Sequence, residues 1–102
     1  MFLIQLLLPT RDSSRQPIDG ALFAQVRETL ADRFGGVTAY QRSPASGLWK
    51  RPDGGVDGDE VVMVEVEAPA LDREWWAGFR RQLERDFEQE TILARAMPIE
   101  KI

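Results

Sequence analysis

Hydrophobic and polar residues alternate along this chain with two different periods. A period of two residues is typical of strands, and a period near 3.6 residues is typical of helices. The two-residue pattern predicts four strands, at residues 2–8, 37–42, 60–67 and 91–97. The first strand is apolar on both faces, which favours a central place in a sheet. The stretches that follow Asp19 and Asp72 instead repeat apolar residues at helical spacing.

The two predicted helices begin in the same way. Asp19 and Asp72 can each accept hydrogen bonds from free amides of a first turn, and an apolar residue, Ile18 or Leu71, precedes each cap. At one constant offset, the apolar residues of the first helix match those of the second. Gly35 supplies a left-handed residue that ends the first helix. The sequence therefore predicts a strand–helix–strand unit that is used twice.

This repeated unit is the plan of the ferredoxin-like βαββαβ sandwich, an α+β fold. Right-handed crossovers place both helices on one face of a four-stranded antiparallel sheet, with the first and third strands central. Residues 43–58, rich in Gly, Pro, Ser and Asp, predict a β-hairpin arm between strands two and three. The matching positions of Arg33 and Asp86 suggest a contact between the helices. A length of 102 residues fits one domain over residues 1–102.

The predicted sheet has one face that the helices do not cover, and apolar side chains are in the majority on it. Its members are Leu3, Gln5 and Leu7, then Thr38, Tyr40 and Arg42, then Val61, Met63 and Glu65, and finally Leu93, Arg95 and Met97. A monomer rarely leaves so large an apolar patch in water. We expect a second copy of the chain to cover it, sheet against sheet, about a two-fold axis. The alternatives are the arm or the tail of the same chain, a ligand, or a different protein.

Several side chains near this face have binding chemistry. Aromatic rings stack on ligands, and arginine holds carboxylates through two hydrogen bonds. In the alternative interpretation, Arg42 and Arg95 pair with Glu65 and Glu67 in a network of ion pairs across the strands. Trp49 lies in a polar arm, which favours an interface anchor or packing beneath the arm. The ligand or interface candidates are Tyr40, Arg42, Trp49, Glu65, Arg95, Leu3, Leu7 and Met63.

The amino-acid composition argues against several kinds of binding site and catalytic group. The chain has 13 basic and 17 acidic residues, and its net charge of −4 opposes binding to nucleic acids. It has no cysteine and no histidine, so it lacks thiolate nucleophiles, cysteine-ligated zinc and the usual acid–base group near neutral pH. The acidic stretches at 53–59 and 65–67 lack a calcium-loop pattern. We therefore expect no metal, no cofactor and no catalytic residue.

The apolar start of the chain is short. Residues 1–8 are apolar except for Gln5, and Pro9 follows them. A membrane span needs about 20 apolar residues, and a secretory signal needs a basic start and a longer apolar stretch. We therefore expect a buried strand here, a cytoplasmic location and no membrane partner.

Four short motifs occur in order along the chain. They are Arg33-Phe34-Gly35-Gly36-Val37-Thr38-Ala39-Tyr40, Gly47-Leu48-Trp49, an acidic residue at Asp59 or Glu60, and Phe87-Glu88-Gln89-Glu90-Thr91-Ile92. With these motifs the chain resembles a family of small bacterial proteins of unknown function. The resemblance implies a ferredoxin-like fold and supplies no catalytic residues. At the level of the fold, the pattern is also similar to dimeric α/β-barrel proteins, some of which are cofactor-free oxygenases or isomerases.

Three functions are compatible with these observations. The first is a homodimeric interaction module or small-ligand-binding module that uses the open face of the sheet. The second is a cofactor-free enzyme of the dimeric-barrel type, acting on a small aromatic or carbonyl compound between helices and sheet. That enzyme requires a cavity lined by Trp75 or Trp76 together with a buried carboxylate. The third is an inhibitor or immunity-type partner that binds through its acidic surface.

Overall fold

The computed structural model describes the backbone of residues 1–50 and 56–102 and the side chains of residues 1–39 and 61–102. The elements follow the predicted βαββαβ order. They are β1 (Phe2–Pro9), α1 (Gly20–Phe34), β2 (Thr38–Lys50), β3 (Val56–Ala68), α2 (Arg73–Asp86) and β4 (Leu93–Pro98).

The strands form a four-stranded antiparallel sheet in the order β2-β3-β1-β4. The first and third strands are central, as predicted. Gln5 of β1 lies opposite Glu65 of β3 on one side and Arg95 of β4 on the other. On the next strand, Thr38 of β2 lies opposite Glu65. This register aligns Leu3, Gln5 and Leu7 with their predicted open-face neighbours in straight rows across the sheet.

The helix ends follow the predicted capping chemistry. Asp19 Oδ1 accepts a hydrogen bond from the Ala21 amide at 2.9 Å, and Asp72 Oδ1 accepts one from the Trp75 amide at 3.0 Å. Gly35 ends α1 in the left-handed conformation with φ of 79°. These caps fix where each helix begins, and so they fix which residues face the sheet.

The core lies between the sheet and the two helices. Alternate residues of the central strands point into it and are almost fully buried, while α1 contributes Val26 and Leu30 and α2 contributes Trp76 and Leu83. Phe87, just after α2, is 0% exposed. The buried strand residues are Ile4, Leu6, Leu8, Val62, Val64, Val66 and Ala68. Two helices therefore cover a single face of the sheet.

An aromatic cluster joins the end of α1 to the start of α2. The ring of Phe34 stacks on that of Trp76 with centroids 5.2 Å apart, and Trp75 stacks on Phe79 at 4.9 Å. Trp76 is only 6% exposed. The paired tryptophans therefore belong to helix packing, where offset and edge-on aromatic contacts add to the burial of apolar area.

The contact suggested between Arg33 and Asp86 is wrong. Arg33 Nη2 instead lies 3.6 Å from Asp72 Oδ2, and the guanidinium lies 4.2 Å from the ring centroid of Trp75. The end of α1 thus contacts the start of α2. Asp86 is at the opposite end of α2, about 20 Å away along the helix axis. Matching positions of the two half-units therefore lie at opposite ends of the helix layer.

The strands β2 and β3 are longer than the sequence pattern predicts. After a register shift between Tyr40 and Ala45, their pairing continues from Ala45 opposite Val61 to Lys50 opposite Val56. Pro44 lies within this irregularity, which is where a strand tolerates a proline. The predicted arm is therefore a continuation of the same two strands, and residues 51–55 lie outside the description.

The two faces of the sheet should respond differently to the same truncation. Leu6 is 1% exposed on the helix side, whereas Leu93 is 49% exposed on the open face. We expect Leu6→Ala to lower the free energy of unfolding by about 2–5 kcal/mol, because it leaves a cavity in the core. We expect Leu93→Ala to cost less than about 1 kcal/mol in the dilute monomer. Urea denaturation measures both, and equal losses would contradict the one-sided layer arrangement.

Asp72 combines two contacts that substitutions can separate. Asp72→Asn keeps an oxygen acceptor for the cap but removes the charge that faces Arg33. Asp72→Ala removes both. Because the ion pair is largely solvated, we expect the alanine variant to be about 1 kcal/mol less stable than the asparagine variant. Thermal and urea unfolding test this difference, and equal stabilities would show that the cap contributes nothing.

Candidate functional site

A row of polar side chains crosses the centre of the open face. Gln5 Nε2 donates to Glu65 Oε2 at 2.6 Å, and Arg95 Nε donates to Gln5 Oε1 at 2.7 Å. The Gln5 amide nitrogen also lies 3.5 Å from Met63 Sδ. Gln5 is only 8% exposed, although no helix covers it. A carboxylate on β3 and a guanidinium on β4 are therefore joined through the amide of β1.

Apolar side chains flank this row on both sides. Leu7 lies opposite Met63 on β3 and opposite Leu93 on β4. Leu3 lies opposite Met97 on β4, which is 39% exposed. Leu3, Leu7 and Met63 are half-buried. The polar row therefore lies between an apolar row through Leu7 and a mixed row of Leu3, Met97 and Glu67.

The charged ends of the polar row have unused hydrogen-bonding capacity. Within the described part of the chain, Glu65 Oε2 and Arg95 Nε make the row's contacts, and no hydrogen bond or ion pair engages Glu65 Oε1 or the two Arg95 Nη groups. A carboxylate accepts through both oxygens, and a guanidinium donates five hydrogens. Both groups can therefore bind something further on this face.

Glu67 has a different partner from the one in the cross-strand interpretation. Its Oε2 atom lies 2.9 Å from Lys101 Nζ, in the tail that follows β4. The Ile99 amide donates to the carbonyl of Met1 at 3.0 Å, so the tail crosses the end of β1 on its way to β3. Arg95 pairs with Gln5 instead of a glutamate. The network thus uses an amide and a tail lysine that the alternation pattern did not indicate.

A groove of about 540 Å³ opens at the edge of the sheet, where β3 extends beyond the start of β2. Thr38 is the first paired residue of β2, and it lies opposite Glu65. Residues 66–68 of β3 therefore continue along the groove without a β2 partner. The groove's polar walls are Thr38, Glu65, Glu67 and Lys101, and its apolar walls include Leu3 and Phe34.

The structure gathers some of the candidate residues and leaves others undescribed. Leu3, Leu7, Met63, Glu65 and Arg95 lie together on the open face, as the register shows. Tyr40 lies opposite Met63 in the backbone pairing. The side chains of Tyr40, Arg42 and Trp49 lie outside the described residues.

Sequence analysis missed the joining role of Gln5 and the groove residue Lys101. Gln5 did carry a signal, because it is the single polar residue in an otherwise apolar strand. Lys101 had none, because it follows the last strand in a short tail without periodicity.

The pocket beside Trp76 lacks the chemistry that the enzyme hypothesis requires. It has a volume of about 280 Å³ and lies between α2 and β4. Its charged lining residues are Arg73, Arg80 and Arg95, of which Arg95 turns its side chain to Gln5 on the open face, and no carboxylate is among the described residues that line it. The buried Trp76 Nε1 atom has no hydrogen-bond partner. The buried acid expected next to the tryptophans is thus absent from this pocket.

Two solved structures share this fold. Both are of a phage SAM lyase. The structure in complex with S-methyl-5'-thioadenosine has a TM-score of 0.64 and 13% sequence identity, covering 94% of this chain and 79% of that chain. The structure in the apo state has a TM-score of 0.57 and 15% identity, covering 94% and 78%. At these identities the similarity establishes the fold alone.

No family model matches the chain, and neither does any curated protein sequence. The resemblance to a bacterial family of unknown function therefore stays a prediction. The chain is a small α+β domain whose fold is shared with the phage SAM lyase structures.

Two further searches of the described residues gave negative results. None of the helices there is both long and apolar enough to cross a membrane. In the same part of the chain, no three acidic side chains gather into a group able to hold a metal ion.

The hydrogen bond between Gln5 and Arg95 can be measured by a double-mutant cycle. We expect Gln5→Ala and Arg95→Ala to be coupled by about 1 kcal/mol in the free energy of unfolding, because each removes the same bond. The pair Gln5→Ala and Arg81→Ala is the control, since Arg81 is exposed on the helix side. A coupling near zero for both pairs would contradict a structural role for the polar row.

Proposed function

We propose that the chain is a small-ligand-binding module whose ligand occupies the groove beside Glu65. The observation that carries this proposal is the position of two carboxylates, Glu65 and Glu67, in the lining of an open groove that also has apolar lining residues. Ligand sites combine apolar lining with a few polar groups that fix orientation. The groove has this composition and its volume lies within the range of small-molecule sites.

The lining favours a ligand with two chemical parts. Carboxylate oxygens accept hydrogen bonds from sugar hydroxyls, as acidic residues do in nucleotide sites, and they also pair with cations. Leu3, Phe34 and Val37 offer apolar surface for a ring or an alkyl group. A nucleoside-like compound meets both requirements, because a polyhydroxylated sugar is attached to a flat, stackable base.

The fold comparison supports the same class of ligand. One structure with this fold is a lyase in complex with S-methyl-5'-thioadenosine. That compound carries ribose hydroxyls, an adenine ring and an apolar thioether, which is the combination of groups that the groove lining favours. It is therefore the first compound to test with this chain.

Binding of S-methyl-5'-thioadenosine can be measured by isothermal titration calorimetry and by amide shifts in NMR spectra. We expect saturable binding, with the largest amide shifts at Thr38 and at residues 65–67. We expect Glu65→Gln to weaken binding about 10–100-fold, because it replaces a charged acceptor with a neutral one. The glutamine variant keeps an oxygen that can accept from Gln5, so the polar row is preserved.

Glu74→Gln is the matched control, since Glu74 is exposed in the first turn of α2. It should leave the affinity unchanged. Equal affinity of the Glu65 variant and the unsubstituted protein would contradict the proposed site. No shift at the groove with adenosine, S-methyl-5'-thioadenosine or S-adenosylmethionine at millimolar concentration would contradict the nucleoside class.

A further inference from the structure

We propose that a second copy of this chain packs on the open face, with the two-fold axis parallel to β1, so that Glu65 of each copy binds Arg95 of the other. The polar row places an acid and a base on either side of Gln5, on β3 and β4. This proposal concerns an interaction surface; it shares Glu65 with the proposed ligand site, but it is argued from the polar row and not from the ligand.

The charges select one symmetry axis from the two that align the strands. An axis parallel to β1 lays β3 of one copy over β4 of the other, which brings Glu65 over the partner subunit's Arg95. An axis in the sheet plane and perpendicular to the strands lays β3 over β3, which brings the two Glu65 carboxylates together. Like charges facing each other in an interface are strongly unfavourable. The first axis therefore gives the complementary arrangement.

The hydrogen-bonding capacity of the polar row fits a pairing of Glu65 with Arg95 between the two copies. In the monomer, Glu65 uses Oε2 and Arg95 uses Nε, both toward Gln5. Among the described residues, none engages Glu65 Oε1 or the Arg95 Nη groups on the same face. A two-fold pair makes two equivalent bonds from Arg95 to Glu65, one on each side of the axis. Each charge then has a protein partner in the interface, which charges need once they are desolvated.

The apolar row through Leu7 matches its copy under the same operation. Leu7 lies on the axis and meets its own copy, while Met63 meets the partner subunit's Leu93. At the other end, Leu3 meets its own copy. Beside that Leu3 pair, Glu67 lies opposite the partner subunit's Met97, and Glu67 is 45% exposed and held by Lys101. Covering Leu93 and Met97 removes the most exposed large apolar side chains of the sheet from water.

Part of the groove stays outside the shared area, because Phe34 and Val37 lie beyond it, whereas Leu3 and Glu65 lie within it. Because β4 of each copy covers β3 of the other, β2 has no strand opposite it and remains outside. The partner's Arg95 then stands next to Glu65, at one wall of the groove. The shared area spans three strands and about 20 Å along them, roughly 300 Å² of each sheet in projection, which lies below the range of standard stable interfaces. We therefore expect a dimer whose dissociation is measurable.

Sedimentation velocity over a wide concentration range tests the proposal in the full chain. We expect a monomer–dimer equilibrium for the unsubstituted protein. Glu65→Arg and Arg95→Glu should each raise the dimer dissociation constant at least about 100-fold, because two equivalent contacts become repulsive. Arg81→Glu, an equal charge reversal on the exposed helix side, should leave it unchanged. Circular dichroism checks that each variant folds.

The decisive arm mixes the two reversed variants. Arg95→Glu presents two acids and Glu65→Arg presents two bases, so an equimolar mixture should form a heterodimer while each alone stays monomeric. The double variant with both reversals should recover the homodimer. Recovery in either arm supports the proposed pairing, and its failure in both overturns it.

Other outcomes also decide the question. A protein that stays monomeric at millimolar concentration, or that forms a trimer, overturns the proposal. So does a dimer that both single reversals leave intact, since the interface then lies elsewhere. A ligand that is bound through Arg95 by a monomer would assign the face to that ligand instead. Calorimetry with S-methyl-5'-thioadenosine on the Arg95→Glu variant, which breaks the proposed pairing but keeps Glu65, separates these results from the groove.

Discussion

The structure depends on one constraint, which is that both helices cross on the same side of a sheet. The side chains of each strand alternate between the two faces of that sheet. Neighbours in sequence consequently meet opposite environments. Leu6 is 1% exposed beneath the helices, whereas Leu7 next to it is half-buried on the open side. The helices therefore bury one side of the central strands, and the other side is not covered by them. This division confines the polar side chains described on the open face to a few rows across the strands.

Gln5 bridges the distance between Glu65 and Arg95 on the open face. Glu65 and Arg95 lie on strands that flank β1, so their backbones are about 10 Å apart and a direct ion pair would need both side chains to lean over the middle strand. An amide donates and accepts at once. Gln5 therefore joins the two groups, and the hydrogen bonds fix which end of its amide faces each. A leucine at this position would leave both charges without a neighbour on β1.

Much of the fold was predictable because its signals are local. Asp19 and Gly35 marked the ends of α1, and the alternation in residues 91–97 placed Leu93, Arg95 and Met97 on the correct face. The helix contact of Arg33 was not predictable from matching positions, because symmetry sends matched residues to opposite ends. The groove was also hidden from the sequence. It depends on where β2 starts relative to β3, and on a tail lysine that reaches Glu67 across the end of β1.

The tail contact has a practical consequence for handling the protein. Met1 and Lys101 both line the groove. The backbone hydrogen bond from the Ile99 amide to the Met1 carbonyl holds residue 1 beside the tail that follows β4. A purification tag or fluorescent label fused at either terminus would emerge at the mouth of the groove and compete with anything that enters it. Surface immobilisation through a single cysteine introduced on the outer side of α2, for example at Arg81, would leave the mouth unobstructed.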